Sequence, residues 1–473
     1  MVESAATPVQ DPCIQPARRV HVITYGCQMN VHDSRRIVQV LGGHGYAETQ
    51  DPALADLILV NTCSVRDRPE KKVMGTLTRL APLKQNNPGL VLGVCGCVAQ
   101  QHGPDLLAKV PWLDLVFGPD NIKDLPELLG RVSEGGRVAN TMHMERTAYD
   151  FPDVDASAEP GPTAFLTVMK GCDRFCAYCI VPFVRGREVS KSPERIEAEA
   201  VALVAGGVRE ITLLGQNVNS YGRGLPEPVE FVDLLDRLDR IPGLRRLRFV
   251  TSHPADAGDR LLDAFGRLPS LAESLHLPLQ SGSDRILAAM NRGYTAARFL
   301  DRVERVRAAC PDVALSTDII VGFSGETEDD FRETIRVVQA ARFDQMYSFK
   351  YSPRPGTRAA LRDDDVSPED KARRLAELQA LQDRITAERM LRLSGRIEEV
   401  LVEGPSRDQA ARGAGRRAAP GTIEWFGRTR TNFVVNFLVE QSELDRKGRL
   451  ALVRIDEVLA HCFRGTLVEW VRD

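Results

Sequence analysis

The sequence lacks any run of about 18 or more apolar residues, so no membrane-crossing helix is expected. Its opening stretch, MVESAATPVQDPCIQPARR, lacks the apolar core of a secretory signal, and a cytoplasmic location is the expectation. Charge of one sign is also missing. The formal net charge is −3, so any nucleic-acid contact has to come from a local basic surface. Ten cysteines in 473 residues are too sparse for a disulfide scaffold. In a reducing compartment, grouped cysteines point instead to metal or catalysis. The eight histidines form no HExxH or other metal pattern. There are no convincing internal repeats, and nothing suggests an obligate dimer, so a monomer is expected.

With 43% hydrophobic and 27% charged residues, the chain can bury sizeable cores. Its length exceeds the ~250–300 residues of a single core, and three domains are expected. The first, 18–134, alternates β-rich runs (His21–Tyr25, Asp56–Asn61, Leu90–Val94, Leu113–Phe117) with helical stretches (Ser34–Leu41, Arg68–Leu83). Such alternation argues a parallel α/β sheet. The Pro-, Asp- and Ala-rich stretch from Thr147 to Pro162 reads as a linker. The second domain, 158–393, carries six candidate strands: Ala164–Lys170, Glu210–Leu214, Leu247–Thr251, Ser274–Pro278, Leu315–Val321 and Gln345–Lys350. Ser192-Pro193-Glu194 and Ser367-Pro368-Glu369 are helix starts, and Gly206-Gly207 is a helix end. Six β–α units predict a partial barrel whose chemistry lies after the strands' C-terminal ends. The third domain, 394–470, is β-branched and reads as a small β-barrel, with Gln409–Pro420 as a basic loop.

Cys172, Cys176 and Cys179 form C-x3-C-x2-C directly after the first strand of the second domain. Three thiolates on one tight loop can hold three irons of a 4Fe–4S cluster and leave the fourth open to S-adenosylmethionine. Structural cysteines or a zinc site are the alternatives, although zinc usually wants four protein ligands. Cys27, Cys63 and Cys97 are far apart in sequence, yet each follows a predicted strand. In a parallel sheet such positions converge at one edge, and three independent core thiols are the alternative. Cys95, on a strand two residues before Cys97, would face the same side and could substitute for it. Cys13, Cys310 and Cys462 read as inert.

The C-x3-C-x2-C loop resembles that of the radical SAM superfamily, and Tyr178 before the last cysteine fits its pattern. Further fragments at strand ends look like a cofactor rim: Leu214-Gly215-Gln216-Asn217, Ser252-His253-Pro254, Pro278-Leu279-Gln280-Ser281-Gly282 and Val321-Gly322-Phe323-Ser324. Each is also ordinary turn chemistry. The rim residues singled out are Tyr178, Gly215, Gln216, Ser252, Gln280, Ser281 and Gly322. Relatives more often carry proline where Ser324 stands. His253 is more readily a hydrogen-bonded structural residue than a cofactor contact.

YGCQMNxxDS, NTCSVR and GCVAQ resemble the N-terminal domain of the methylthiotransferase family, and its MiaB-type branch in particular. The motif matches Cys97 rather than Cys95. The C-terminal part, with GRTRTNFVVNF, looks like a TRAM RNA-binding barrel, in which Arg428, Arg430 and Asn432 would offer donors to RNA. A solvated strand edge is the plainer reading of each.

The resemblance implies a fold of an N-terminal parallel α/β domain, a central partial (β/α)6 barrel and a C-terminal β-barrel. It implies two 4Fe–4S clusters and S-adenosylmethionine, with no catalytic side chain beyond the clusters. Replacing the carbon-2 hydrogen of an adenine needs a radical. The Cys172/Cys176/Cys179 cluster would generate it, and the Cys27/Cys63/Cys97 cluster would carry the sulfur. One S-adenosylmethionine would methylate that sulfur and a second would be cleaved reductively. The implied substrate is N6-isopentenyladenosine in a tRNA anticodon stem-loop, with an electron donor such as flavodoxin or ferredoxin. Sibling activities act on a ribosomal-protein aspartate or on threonylcarbamoyl-adenosine in tRNA; Gln28-Met29-Asn30 and Ser64-Val65-Arg66 stand closer to the tRNA-acting branch, and the second sibling's first motif usually reads differently around Gln28-Met29. A non-enzymatic iron–sulfur RNA-binding redox sensor is the reading from another class.

Overall fold

Leu57–Thr62 is a short β-branched run buried along its whole length, as a strand covered on both faces must be. It is β3, the centre of the first sheet. Before it come β1 (Arg18–Tyr25), α1 (Gln28–Gly42) and β2 (Tyr46–Glu48). After it come α2 (Asp67–Asn86), β4 (Val91–Gly96), α3 (Cys97–His102), α4 (Pro104–Lys109), β5 (Leu115–Phe117), α5 (Leu125–Ser133) and β6 (Val138–Asn140). The order is β2-β1-β3-β4-β5-β6, and every pairing is parallel. The computed structural model describes residues 18–64, 67–144, 151, 161–406, 421–440 and 446–472. Cys13, Val65-Arg66, the basic loop Gln409–Pro420 and most of the expected linker lie outside these. The four expected strands are present. β2 and β6 are additional, each three residues long, too short for a periodicity to register. β6 pairs with β5 and so carries the first domain past the expected boundary at 134.

Contacts divide the chain into two compact units, Met1–His143 and Met144–Asp473. The second contains β7 (Thr163–Thr167), β8 (Met169–Lys170), α6 (Val181–Arg185), β9 (Val189–Ser190), α7 (Pro193–Ala205), β10 (Glu210–Leu214), α8 (Phe231–Asp239) and β11 (Arg246–Phe249). There follow α9 (Asp259–Arg267), β12 (Ser274–His276), α10 (Asp284–Ala289), α11 (Ala296–Ala309), β13 (Ala314–Val321), α12 (Glu328–Ala341), β14 (Gln345–Lys350) and α13 (Pro368–Leu391). β7, β10 and β11 pair in parallel, as do β12, β13 and β14, and a parallel bridge from Leu247 to Leu271 lies between the two sets. This is the expected six-unit partial barrel. Its first strand breaks at Val168, and β8 turns away to pair antiparallel with β9. Ser192 Oγ accepts from Arg195 N at 3.4 Å and Ser367 Oγ from Asp370 N at 3.0 Å, so both expected caps are formed.

The C-terminal strands β15 (Ile397–Pro405), β16 (Thr422–Thr429), β17 (Val434–Glu440), β18 (Leu450–Val458) and β19 (Cys462–Trp470) close into a barrel in the order β15-β16-β17-β19-β18. It is filled by Val400, Val402, Trp425, Val435, Phe437, Val453 and Phe463 among others. Among the described residues, no helix is long and apolar enough to cross a membrane.

Candidate functional site

In unit one the register decides the geometry. Tyr25 of β1 lies beside Thr62 of β3, and Thr62 beside Gly96 of β4. Cys27, Cys63 and Cys97 follow these positions by one or two residues. Three distant cysteines therefore leave one edge of one sheet. The strand ends are held close: a Cβ on Gly26 would stand 2.5 Å from Cys63 Cβ. Gly96, at φ 86°, has no room for a Cβ, which would strike Asn61 Oδ1 and come within 2.7 Å of the Thr62 carbonyl. Cys27 caps α1, its Sγ 3.3 Å from Asn30 Oδ1. Gly96 also ends the strand, so the two-residue alternation linking Cys95 to Cys97 does not hold. Cys97 opens α3, whereas Cys95 packs in the apolar core with Leu57, Leu59 and Phe117.

In unit two, Cys172, Cys176 and Cys179 lie on the loop after β8. Gly171, at φ 77°, starts the loop; a Cβ there would strike the Arg187 carbonyl. Phe175 takes φ 47°. Distant segments brace the loop. Ala177 N donates to the Met290 carbonyl at 2.8 Å, Asn291 Nδ2 to the Phe175 carbonyl at 3.1 Å, and Arg358 Nη2 to the same carbonyl at 3.0 Å. Arg292 Nη1 donates to Cys176 Sγ at 3.2 Å. A cavity of about 490 Å³ opens here, lined by Asp173, Arg174, Phe175, Cys176, Cys179, Phe183, Asn291 and Arg358.

Three thiols on one loop are the donor set a 4Fe–4S cluster uses. Among the described residues, no three His, Cys, Asp or Glu side chains stand in the geometry that holds one metal ion. A 4Fe–4S cluster asks less convergence, because each thiolate binds its own iron. Burial, first of all, pushes the Cys172 and Cys179 thiols up to about 12, so a metal held there would have to displace their protons.

The rim residues divide. Gln216 Oε1 accepts from Gly171 N, which ties the rim to the cluster loop, and its buried Nε2 has no partner; nor has Ser252 Oγ. Both are orphaned polar atoms that suit a polar ligand. Gly215 is required by packing, since a Cβ would stand 2.5 Å from Met169 Cγ. Gln280, at φ 71°, exchanges backbone hydrogen bonds with Asp318 and Ile320. Three of the expected rim residues engage protein neighbours. Ser281 is fully buried and its hydroxyl faces Thr334 of α12 at 3.4 Å, so it is a packing group. Gly322, at φ 69°, lies under Lys371 of α13 and its N–H donates to Glu326 Oε2 at 2.6 Å. Tyr178 packs against Ala177, Ile286, Met290, Phe323 and Tyr351 rather than lining the cavity.

His253 is anchored by hydrogen bonds, while its buried Nε2, like Gln216 Nε2 and Ser252 Oγ, has no partner. Its N–H and carbonyl pair with the Asn219 amide, and its Nδ1 accepts from Ala255 N at 3.2 Å. Burial, with Arg292, Arg174 and Arg223 nearby, pushes its pKa far down and keeps the ring neutral. Sequence reasoning missed the rim's charge network. Buried Asp256 accepts from Arg174 Nε at 2.8 Å, Asn217 Nδ2 at 2.9 Å and Arg223 Nη2 at 2.6 Å. It missed Asn291, Arg292 and Arg358 too, since no spacing links them to the cysteine loop.

Arg430 is engaged within the protein. Its Nε donates to Glu273 Oε2 at 2.8 Å and its Nη2 to the carbonyls of Pro269 and Leu271 at 2.9 and 3.0 Å. It belongs to a seam in which Arg246 donates to the Arg428 carbonyl at 2.7 Å and Arg248 to the Arg430 carbonyl at 2.7 Å. Arg246 and Glu273 stand at the N-terminal ends of β11 and β12, so the C-terminal barrel docks at the end opposite the cysteine loop. Arg428 pairs with Glu403 at 3.1 Å but remains 38% exposed, and Asn432 forms the turn at φ 68°.

Residues 166–338 match the family described as the Radical SAM superfamily, and residues 19–118 match "Uncharacterized protein family UPF0004". The chain is 46% identical over 452 residues to a protein of Syntrophobacter fumaroxidans named tRNA-2-methylthio-N(6)-dimethylallyladenosine synthase, covering 95% of this chain and 96% of the relative. A protein of the same name from Anaeromyxobacter dehalogenans is 46% identical, with 98% and 97% covered. One from Myxococcus xanthus is 47% identical, with 90% and 92% covered. Among solved structures, the radical S-adenosylmethionine methyltransferase TsrM from Kitasatospora setae, with cobalamin and a 4Fe–4S cluster bound, superposes with a TM-score of 0.54. At 15% identity over 73% of this chain and 77% of that one, it shares the fold alone. The cysteine loop at the barrel mouth, the parallel N-terminal sheet and full-length identity near one half place the chain in one family: it belongs to the radical SAM methylthiotransferases named tRNA-2-methylthio-N(6)-dimethylallyladenosine synthase.

Proposed function

We propose that this chain transfers a methylthio group to carbon-2 of N6-isopentenyladenosine beside the anticodon of tRNA. In this reading it holds two 4Fe–4S clusters, one on Cys172, Cys176 and Cys179 and one on Cys27, Cys63 and Cys97. It works in the cytoplasm as a monomer, fed by a donor of the flavodoxin or ferredoxin kind. Use of an iron–sulfur cluster and S-adenosylmethionine goes with the superfamily.

The observation that carries the reading is the in-register exit of Cys27, Cys63 and Cys97 from adjacent parallel strands. A chain that already has one three-thiol loop has a second three-thiol edge, which reductive cleavage of S-adenosylmethionine alone does not require. When bound at Cys172, Cys176 and Cys179, a cluster supplies the electron for that cleavage, chemistry no protein acid or base replaces. The side chains do the rest. Asn291 and Arg358 fix the loop through the Phe175 carbonyl. Phe175 and Phe183, edge to face at 6.3 Å, give the cavity an apolar wall. Gln216 Nε2 and Ser252 Oγ offer unpartnered polar atoms to the cofactor. An unstacked adenosine of an anticodon loop can reach such a mouth without a duplex being opened.

The deciding experiment is anaerobic turnover of reconstituted protein with isopentenylated tRNA, S-adenosylmethionine and a strong reductant, with nucleosides read by mass spectrometry. The 2-methylthio derivative together with 5′-deoxyadenosine is expected. Deoxyadenosine without it would transfer the reading to threonylcarbamoyl-adenosine or a protein aspartate. Neither product from a cluster-loaded protein would favour a binding protein.

A further inference from the structure

Arg292 follows the turn after α10 and is 4% exposed. Its Nε donates to Tyr294 Oη at 3.1 Å, its Nη2 to the Pro278 carbonyl at 2.9 Å, and its Nη1 to Cys176 Sγ at 3.2 Å. The guanidinium lies 5.3 Å from the centre of the Tyr294 ring. The ionisable groups facing it are Tyr178, Tyr294, Cys176, Cys179 and His253, and among the described residues its hydrogen bonds go to a phenol, a carbonyl and a thiol, with no ion pair to a carboxylate. Four other buried arginines of this unit have carboxylate partners: Arg246 and Arg248 pair with Glu210, Arg374 with Glu326 and Arg389 with Asp344. Arg174, on the cysteine loop itself, is matched by Asp256.

A guanidinium stays protonated at any physiological pH, and burying it without a counter-charge is strongly unfavourable. Neutral phenols and carbonyls solvate it but do not neutralise it. The sulfur within hydrogen-bond reach is that of Cys176, which would be a thiolate when it holds iron. The unmatched cation therefore marks where negative charge resides in the loaded protein.

We propose that Arg292 is a positioning residue for the cluster at Cys172, Cys176 and Cys179, donating an N–H···S hydrogen bond to the Cys176 thiolate and supplying the cluster's buried counter-charge. This rests on the reading of those three cysteines as cluster ligands. Reduction brings one electron from a low-potential one-electron reductant and adds one negative charge; no proton moves, because the guanidinium is charged before and after. A fixed cation and a donor at the ligand sulfur favour the reduced form, as hydrogen bonds to cluster sulfurs do in general. Arg292 thus raises the potential at which S-adenosylmethionine cleavage can be driven. It also joins the cluster to the Pro278–Leu279 turn, because Tyr294 Oη donates to the Leu279 carbonyl at 2.7 Å.

The test uses the full chain carrying Cys27→Ala, Cys63→Ala and Cys97→Ala, so that one cluster reports. After anaerobic reconstitution, iron and sulfide are counted and the midpoint potential is read by electron paramagnetic resonance during reductive titration. Arg292→Met should move the midpoint to more negative values by about tenfold in the one-electron equilibrium or more, ~59 mV. Arg292→Lys, which keeps the cation, should recover most of the shift. A cluster lost from Arg292→Met but kept by Arg292→Lys supports the same conclusion. An unchanged midpoint in cluster-loaded Arg292→Met overturns the proposal and leaves a structural brace. So does loss of the cluster from both variants with native circular dichroism. A parent that binds no cluster is a different result, and removes the ligand assignment itself.

Discussion

Asn30 and Asn61 hold each other across the end of the N-terminal sheet: Asn30 Nδ2 donates to Asn61 Oδ1 at 3.1 Å, and Asn61 Nδ2 to the Asn30 carbonyl at 2.8 Å. Both are fully buried. Asn30 Oδ1 lies 3.4 Å from Cys27 N, Asn61 stands two residues before Cys63, and its Oδ1 fills the space a side chain on Gly96 would need. One pair of amides thus touches all three cysteine-bearing strand ends.

Asn61→Ala should leave buried donors and acceptors unpaired at about 1–3 kcal/mol. In a chain whose Cys172, Cys176 and Cys179 are alanine, iron content should fall more than that stability loss explains. Urea unfolding and iron counts check this. Full iron loading in a destabilised variant would show that the knot does not organise the thiols.

Replacing Cys172, Cys176 or Cys179 by alanine should abolish 5′-deoxyadenosine formation, while alanine at Cys27, Cys63 or Cys97 should spare it and abolish the methylthio product. Chromatography of both products from one reaction reads the difference. Deoxyadenosine from a Cys176→Ala protein would refute the assignment.

Arg430→Ala should destabilise unit two by removing the partner of Glu273 and of two carbonyls, and should leave the salt dependence of tRNA binding unchanged. Arg428→Ala, at a half-exposed side chain, should reduce the slope of log K against log salt by about one phosphate contact. Binding titrations between low and moderate salt test both. A flattened slope for Arg430→Ala would return it to the RNA surface.

Asp330 of α12 is buried, which alone would raise its pKa. Hydrogen bonds from Arg285, Ser283 Oγ (2.6 Å) and Thr327 Oγ1 (2.6 Å) outweigh this and hold the carboxyl well below the usual range. Because the folded pKa is the depressed one, the stabilisation is complete above the unfolded value of about 4 and is lost as pH falls through the folded value. Asp330→Asn should therefore lower stability at pH 7 and flatten its decline as pH falls below about 4. Parallel pH profiles for the two proteins would count against it.

Local chemistry determined much of this molecule in advance. Alternating β-branched and helical stretches, Ser-Pro-Glu helix starts and a three-cysteine loop after a strand are all written within short windows, and all are present in the fold. The convergence of Cys27, Cys63 and Cys97 was also legible, because parallel strands must place their C-terminal ends on one side. Partnership over long separations was decided only by tertiary packing. Whether Arg430 meets RNA or Glu273, whether Ser281 faces a cofactor or Thr334, and that Arg292 reaches Cys176 depend on how β–α units close around one core. A polar side chain's sequence states what it can donate; only the fold states which acceptor is within 3 Å, and a buried donor takes the one it finds.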